Sequence, residues 1–130
     1  DDIILCDNFV KKINKVIDER PNDVIQFFSM RKDDLEVGSR YELGSKFLMH
    51  QCYYLPAGMS KEIYDYSIQF ENEAEVGQHV SPNDLVTRNY FKNNKIKYWV
   101  HIPNLVDHRV SKSIINPKRP TKRQSLTFQR

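Results

Sequence analysis

The chain has 130 residues, 39% of them hydrophobic and 28% charged, with a formal net charge of +3. This length suits one domain with a core, and the composition excludes a disordered chain. No run of about eighteen apolar residues occurs, so the sequence offers no membrane-spanning helix. Its two cysteines form no CxxC pair, which favours free thiols in a reducing compartment such as the cytoplasm.

The amino-terminal part predicts a short strand followed by a helix. Residues 3–5 are apolar and too few to form a strand that stands alone. Apolar residues then recur at helical spacing from Phe9 to Glu19, and a proline follows. Either Asp7 or Asn8 is expected to cap this helix, because short polar side chains accept hydrogen bonds from its first amides.

Three further apolar runs predict strands. They are VIQFFSM at 24–30, KFLMHQCYYL at 46–55 and IKYWVHI at 96–102. The segment RKDDLEVGSR, between the first two runs, is typical of a charged loop with a turn at Gly38.

Two more helices are predicted in the second half. One spans 61–70 with its apolar residues on one side, and the acidic segment ENEAEVGQH after it is typical of a loop. The other spans 82–94 and begins at SPND, where Ser81 stands at the cap and Asp84 three residues later.

Strands that alternate with helices predict an α/β fold built on a mixed sheet. Such sheets carry their chemistry in the loops after the carboxyl ends of the strands. Asp1 and Asp2, the segment 103–113 and the loop after residue 30 are expected at that edge.

Asp1 and Asp2 are the first candidate site. Two carboxylates beside a strand can hold a hard cation such as Mg²⁺ or Mn²⁺, which takes oxygen ligands and bridges to phosphate. The alternative is that the pair is solvated or caps the following helix.

The segment IPNLVDHRVSKS is the second candidate site. His108 follows an apolar strand, and a neutral imidazole can ligate Mn²⁺. Arginine, lysine and hydroxyl groups beside it suit a diphosphate. The alternative for His108 is an ordinary surface histidine in a loop.

The order of five segments resembles the carboxyl-terminal half of a GT-A-fold glycosyltransferase, of the lipooligosaccharide-type (family 25-like) or viral kind. These segments are DDIILCDNF, VIQFFSM, KFLMHQCYYLPAGMSKEIYDY, HVSPNDLVTRNYF and YWVHIPNLVDHRVSKS. The resemblance implies a GT-A-like mixed sheet with flanking helices, which here lacks the amino-terminal nucleotide-binding βαβ half. It also implies a cytoplasmic location, in the host cytoplasm for a viral enzyme.

The resemblance implies roles for these residues. Asp2 and His108 would ligate Mn²⁺ or Mg²⁺, and Asp1 would contact the metal or the donor ribose. The residues near the donor diphosphate would be Arg109, Ser111 and Lys112. The substrates would be a nucleotide sugar and a glycan or other hydroxyl acceptor.

Asp84 matches the acidic residue that acts as catalytic base or holds the acceptor in inverting members of that family. Its alternative is purely structural, since Ser81 and Asp84 also form a capping box. His79, just before the helix, is a rival base with a near-neutral pKa.

The chain divides into a catalytic half-domain at 1–115 and a basic tail at 116–130. Residues 111–130 contain six basic residues and no acid, so they carry +6 and the rest of the chain −3. We expect a fragment of a longer enzyme, which alone binds a nucleotide sugar poorly.

Two other functions remain open at this point. The basic tail could serve a nucleic-acid- or partner-binding module without catalysis. The apolar setting of the aromatic residues disfavours nucleic acid, because stacking proteins interleave aromatics with basic residues. A metal-dependent phosphodiesterase built on Asp1, Asp2 and His108 is the third possibility, although two-metal sites need more carboxylates.

Overall fold

The computed structural model describes residues 3–48, 50–73, 83–110, 118, 121 and 123–130, with the backbone alone for 70–73, 83 and 84. The strands are β1 (Ile3–Leu5), β2 (Val24–Gln26), β3 (Arg40–Leu43), β4 (Tyr53–Tyr54), β5 (Lys97–Val100) and β6 (Val106–His108). The helices are α1 (Phe9–Glu19), α2 (Asp34–Val37), α3 (Met59–Glu73) and α4 (Asn83–Asn93), with a 3₁₀ turn at Gly44–Lys46.

The central sheet has four strands in the order β3-β5-β2-β4. Strands β2 and β5 are parallel, whereas β3 and β4 run antiparallel to their neighbours. Strands β1 and β6 form a separate antiparallel pair. The predicted class, α/β with a mixed sheet, is confirmed.

The sheet is covered on both faces, because successive residues of its strands point to opposite sides. Val24 belongs to one buried cluster and Ile25 to the other. The cluster of Val24 includes residues of α3 and α4, whereas the cluster of Ile25 includes residues of α1. The core is therefore built as a helix, sheet and helix sandwich.

Helix α1 has the predicted bounds, Phe9–Glu19. Its apolar residues, Val16 among them, pack against Ile25 and Phe27 of the sheet face. The predicted side-chain cap is wrong, since Asn8 occupies the cap position with a φ of 57° and makes no capping hydrogen bond. Asparagine tolerates this left-handed conformation better than most residues, which accounts for its presence there.

The long strand predicted at 46–55 is wrong, because only Tyr53–Tyr54 pairs with the sheet. The apolar character of this segment comes from core packing instead. The Phe47 ring is fully buried and makes edge-on contacts with the rings of Tyr53, Phe91 and Tyr98. A loop that fills the core thus has the same apolar pattern as a strand.

The charged loop predicted at 31–40 contains helix α2, and strand β3 begins at its last residue. In strand β3 the charged residues face inward and the apolar residues face solvent, the reverse of the usual pattern. Arg40 and Glu42 are partly buried, whereas Tyr41 and Leu43 are exposed. The inward charges are tolerated because Arg40 Nε donates to Glu42 Oε1 at 2.8 Å.

The other predicted elements are present with different bounds. Strands β2 and β5 end before residues 30 and 102, and α3 extends beyond 61–70 at both ends. Helix α3 takes in the first three residues of ENEAEVGQH, and the rest of that segment lies outside the described residues. In the described part of the chain, no helix is both long and apolar enough to cross a membrane.

Candidate functional site

The loops that follow the two parallel strands meet at one edge of the sheet. The His101 amide donates to the Gln26 carbonyl at 3.0 Å, and the Leu105 amide donates to the Phe27 carbonyl at 3.2 Å. The Asn104 side chain donates to the Ser29 carbonyl at 2.9 Å. This carboxyl-terminal edge is where α/β sheets place their ligands.

Strand β6 follows Leu105 at this edge and pairs with β1, the first strand of the chain. Its antiparallel register sets Ile3 opposite His108 and Leu5 opposite Val106. Asp2, which precedes Ile3 in the sequence, lies outside the described residues.

The His108 imidazole has a defined orientation. The residue is 2% exposed, and its Nδ1 lies 2.7 Å from the Arg109 carbonyl oxygen. Because a carbonyl only accepts hydrogen bonds, Nδ1 is the donor in this contact, and in the neutral form of the ring Nε2 keeps its lone pair. Metal-binding histidines usually donate their second ring N–H in this way, so His108 fits the role of a cation ligand.

Asp107 is a site residue that the sequence analysis missed. Its Oδ1 accepts hydrogen bonds from the His108 amide at 2.8 Å and from the Ser125 amide at 2.7 Å. The carboxylate is buried and fixes the backbone of His108 against the end of the chain. A charged residue directly after the apolar residues Leu105 and Val106 was the only sequence signal for this role.

Asn104 links the end of the chain to the functional edge. Its side-chain amide donates to Ser125 Oγ at 2.7 Å, and its backbone amide donates to Thr127 Oγ1 at 3.1 Å. Thr127 is buried, and Phe128 packs against the α1 cluster. Ser125, Thr127 and Phe128, which belong to the predicted basic tail, are thus packed into the domain.

The other predicted site residues are only partly covered by the structure. Arg109 follows His108 directly, and its side chain is exposed at the functional edge. Asp84 lies in the first turn of α4, where only its backbone is described. The predicted site residues outside the described part are Asp1, Asp2, His79, Ser81, Ser111 and Lys112.

A second charged cluster lies near the same edge and consists of ion pairs. Arg40 contacts Asp34 at 3.0 Å and Glu42 at 2.8 Å. Burial alone would lower the pKa of Arg40, but the hydrogen bonds to Glu42 and Asp34 raise it. These carboxylates therefore have a cation partner already within the fold.

Within the described ranges, no group of three or more histidine, cysteine, aspartate or glutamate side chains could hold a metal ion. Of the two predicted metal ligands, Asp2 and His108, the structure describes the side chain of His108 alone.

Comparison with known proteins adds no relative. No family model, no curated protein and no solved structure matches this chain.

Proposed function

We propose that this chain is the carboxyl-terminal catalytic half of a metal-dependent glycosyltransferase with a GT-A-like fold. It moves a sugar from a nucleotide-sugar donor to an acceptor hydroxyl. The observation that carries the proposal is the pairing of Ile3 with His108. This pairing sets Ile3, which follows Asp1 and Asp2 in the sequence, opposite His108, the histidine of the IPNLVDHRVSKS segment.

Asp2 and His108 hold the cation in this proposal. His108 offers Nε2 because its Nδ1 donates to the Arg109 carbonyl, and Asp2 offers a carboxylate oxygen of the kind that Mn²⁺ and Mg²⁺ accept. When bound, the cation supplies Lewis-acid stabilisation of the charge on the departing diphosphate.

The exposed guanidinium of Arg109 binds the diphosphate of the donor, and Ser111 and Lys112 complete these contacts. Arginine suits this role because its planar fork donates two parallel hydrogen bonds to phosphate oxygens. Asp84 acts as the base that accepts the proton of the acceptor hydroxyl. Asp1 contacts the donor ribose or the cation.

The alternative of a binding module with a free basic tail has less support. Ser125 and Thr127 of that tail make hydrogen bonds to Asp107 and Asn104 inside the domain. A tail engaged in this way presents fewer residues to a nucleic acid or a partner protein.

The test is sugar-nucleotide turnover by the natural polypeptide that contains this sequence. A panel of uridine-, guanosine- and cytidine-linked sugars is incubated with Mn²⁺, with Mg²⁺ or with EDTA, and nucleotide release is measured. We expect release from at least one donor only with a divalent cation, and we expect Asp2→Asn to abolish it. Asp18→Asn, an exposed carboxylate on α1, is the matched control and keeps full activity.

Equal release in EDTA would contradict the proposal, as would full activity of a folded Asp2→Asn variant. Salt-sensitive binding of RNA or DNA without any donor turnover would favour the binding-module alternative instead.

A further inference from the structure

A cleft of about 330 Å³ opens between β4, α3 and α4. It lies at the lower end of the roughly 300–1,000 Å³ range of small-molecule sites, so its ligand is small. Its lining residues are His50, Tyr53, Leu55, Ser60, Ile63, Tyr64, Ser67, Val86 and Thr87.

The lining of this cleft carries hydroxyl groups, aromatic rings and the imidazole of His50, and its described residues include no carboxylate, lysine or arginine. Ser60 and Thr87 carry hydroxyl groups, and Ser67 Oγ, which donates to the Tyr64 carbonyl at 2.7 Å, still has an oxygen that can accept. Burial raises the pKa of Tyr53, so its hydroxyl stays neutral at physiological pH. A charged ligand group would lose its hydration here without gaining a carboxylate, lysine or arginine partner among the described lining residues, so the lining favours a neutral polar ligand.

Tyr64 gives the cleft an open aromatic surface. Its side chain is 62% exposed, although a tyrosine would gain from burial. Tyr41 is the other exposed tyrosine among the described residues, and its hydroxyl is engaged with Asp23 at 2.7 Å. An aromatic ring beside hydroxyl groups matches a sugar, which has an apolar C–H face and a polar rim.

The cleft lies beside the helix turn that carries Asp84. Thr87 lines the cleft on α4, and residues three apart on a helix are neighbours on one face. His50 lies close to Cys52, whose carbonyl accepts the Phe27 amide after the end of β2. Tyr53 lines the cleft and pairs with Gln26, the last residue of β2, so the cleft reaches the carboxyl-terminal edge of the sheet.

We infer that this cleft binds a neutral saccharide and is the acceptor subsite of the enzyme. Its identification as an acceptor site rests on the proposed glycosyltransferase function. Saccharide binding itself rests on the cleft alone. Tyr64 stacks on the sugar face, and the hydroxyl groups of the lining hydrogen-bond to its rim.

The first experiment measures binding without any donor. Lactose and N-acetylglucosamine are titrated into ¹⁵N-labelled protein, with glucose 6-phosphate as the charged counterpart. We expect shifts at Ser60, Ser67 and Thr87 with the neutral sugars and much weaker binding of the phosphate. Shifts confined to residues outside the cleft, or none at all with the neutral sugars, would overturn the inference.

The variant pair is Tyr64→Ala and Ile68→Ala. Both side chains are exposed on α3 one turn apart, but only Tyr64 lines the cleft. Loss of a stacking ring should weaken saccharide binding by about threefold to tenfold. Ile68→Ala should leave it unchanged. Equal effects of the two substitutions would overturn the inference.

Turnover separates this inference from the proposed function. In an active enzyme, Tyr64→Ala should raise the acceptor KM, whereas the control Ile68→Ala should leave both the acceptor KM and hydrolysis of the donor unchanged. If turnover exists and the acceptor KM does not respond, the acceptor subsite is wrong and the proposed function stands. If the saccharide binds in the cleft and no donor is turned over, the proposed function fails and the cleft is a lectin-like site.

Discussion

Ile3 and His108 face each other across the antiparallel β1–β6 pair, although they stand near opposite ends of the sequence. The neighbouring Asp107 carboxylate accepts hydrogen bonds from the backbone amides of His108 and Ser125. Strand β1 and the segment at Ser125 are thus both held against strand β6. His108 is therefore a buried residue with a defined ring orientation and not a solvated loop residue.

Thr127 should contribute measurably to the free energy of unfolding, although it belongs to the predicted basic tail. Replacing it with valine keeps the shape and removes the oxygen that accepts the Asn104 amide. A buried donor without a partner costs about 1–3 kcal/mol, so we expect the free energy of unfolding to fall by that amount. Urea denaturation followed by circular dichroism measures it.

Leu126→Ala is the control for this prediction. Leu126 is the next residue along the chain and is 52% exposed, so its truncation should change stability by about 0.5 kcal/mol or less. If Leu126→Ala costs as much as Thr127→Val, the tail is held by apolar contact and not by the Asn104 hydrogen bond.

Local sequence patterns predicted the elements that obey simple periodicity. Helix α1 repeats its apolar residues at helical spacing and has the expected bounds. Strand β3 was not predicted because its inward residues are the charged Arg40 and Glu42, and its outward residues are Tyr41 and Leu43. The ion pair between Arg40 and Glu42 that permits this arrangement is visible only in the folded structure. The apolar segment around Phe47 was wrongly predicted as a strand, because a buried loop and a buried strand are equally apolar.

The candidate site was predictable only in part. The residue types at positions 2 and 108 suggested cation ligands, but the pairing of Ile3 with His108 depends on the β1–β6 register, which no local pattern contains. Asp107 and Thr127 carry no motif at all. Their roles arise from contacts with Ser125 and Asn104 that appear only in the folded chain.

His101 should titrate below an ordinary histidine. Burial lowers its pKa from 6.5, Glu19 raises it and Arg20 lowers it further. Because the folded pKa lies below the unfolded value, this stabilisation is fully present above the unfolded pKa and is lost as the pH falls towards and through the folded pKa. An NMR titration of the imidazole protons should give a pKa below 6.5.

The variant His101→Gln removes this titration. Its free energy of unfolding should therefore depend less on pH between about 7 and 5 than that of the natural sequence. An imidazole pKa at or above 6.5, or an unchanged pH dependence in the variant, would contradict the buried neutral state.

Cys52 should be unreactive in the folded protein. Burial raises the pKa of its thiol from 9.0 to about 11. Two pKa units reduce the thiolate at pH 8 by about 100-fold, and the thiolate is the reactive form. Iodoacetamide labelling of a Cys6→Ala variant should be slow in buffer and fast in urea. Similar rates in both conditions would contradict the burial of Cys52.

Asp84→Asn tests the base. If Asp84 deprotonates the acceptor, kcat should fall by about 10²–10⁴ while donor affinity stays the same, because asparagine cannot take the proton. Asparagine keeps the size and the side-chain oxygen of aspartate in the first turn of α4, so the free energy of unfolding should change by about 1 kcal/mol or less. Retained stability together with retained turnover would make Asp84 a structural residue, and His79 would then be the next base to replace.

The cation site itself is tested most directly by Mn²⁺-induced broadening of the histidine imidazole signals in the natural polypeptide. A paramagnetic ion held by Asp2 and His108 should broaden the His108 signals at Mn²⁺ concentrations that leave the His101 signals sharp, and Asp2→Asn should remove this difference while Asp18→Asn keeps it. Broadening of His108 that is absent, no stronger than that of His101, or unchanged by Asp2→Asn would contradict the site.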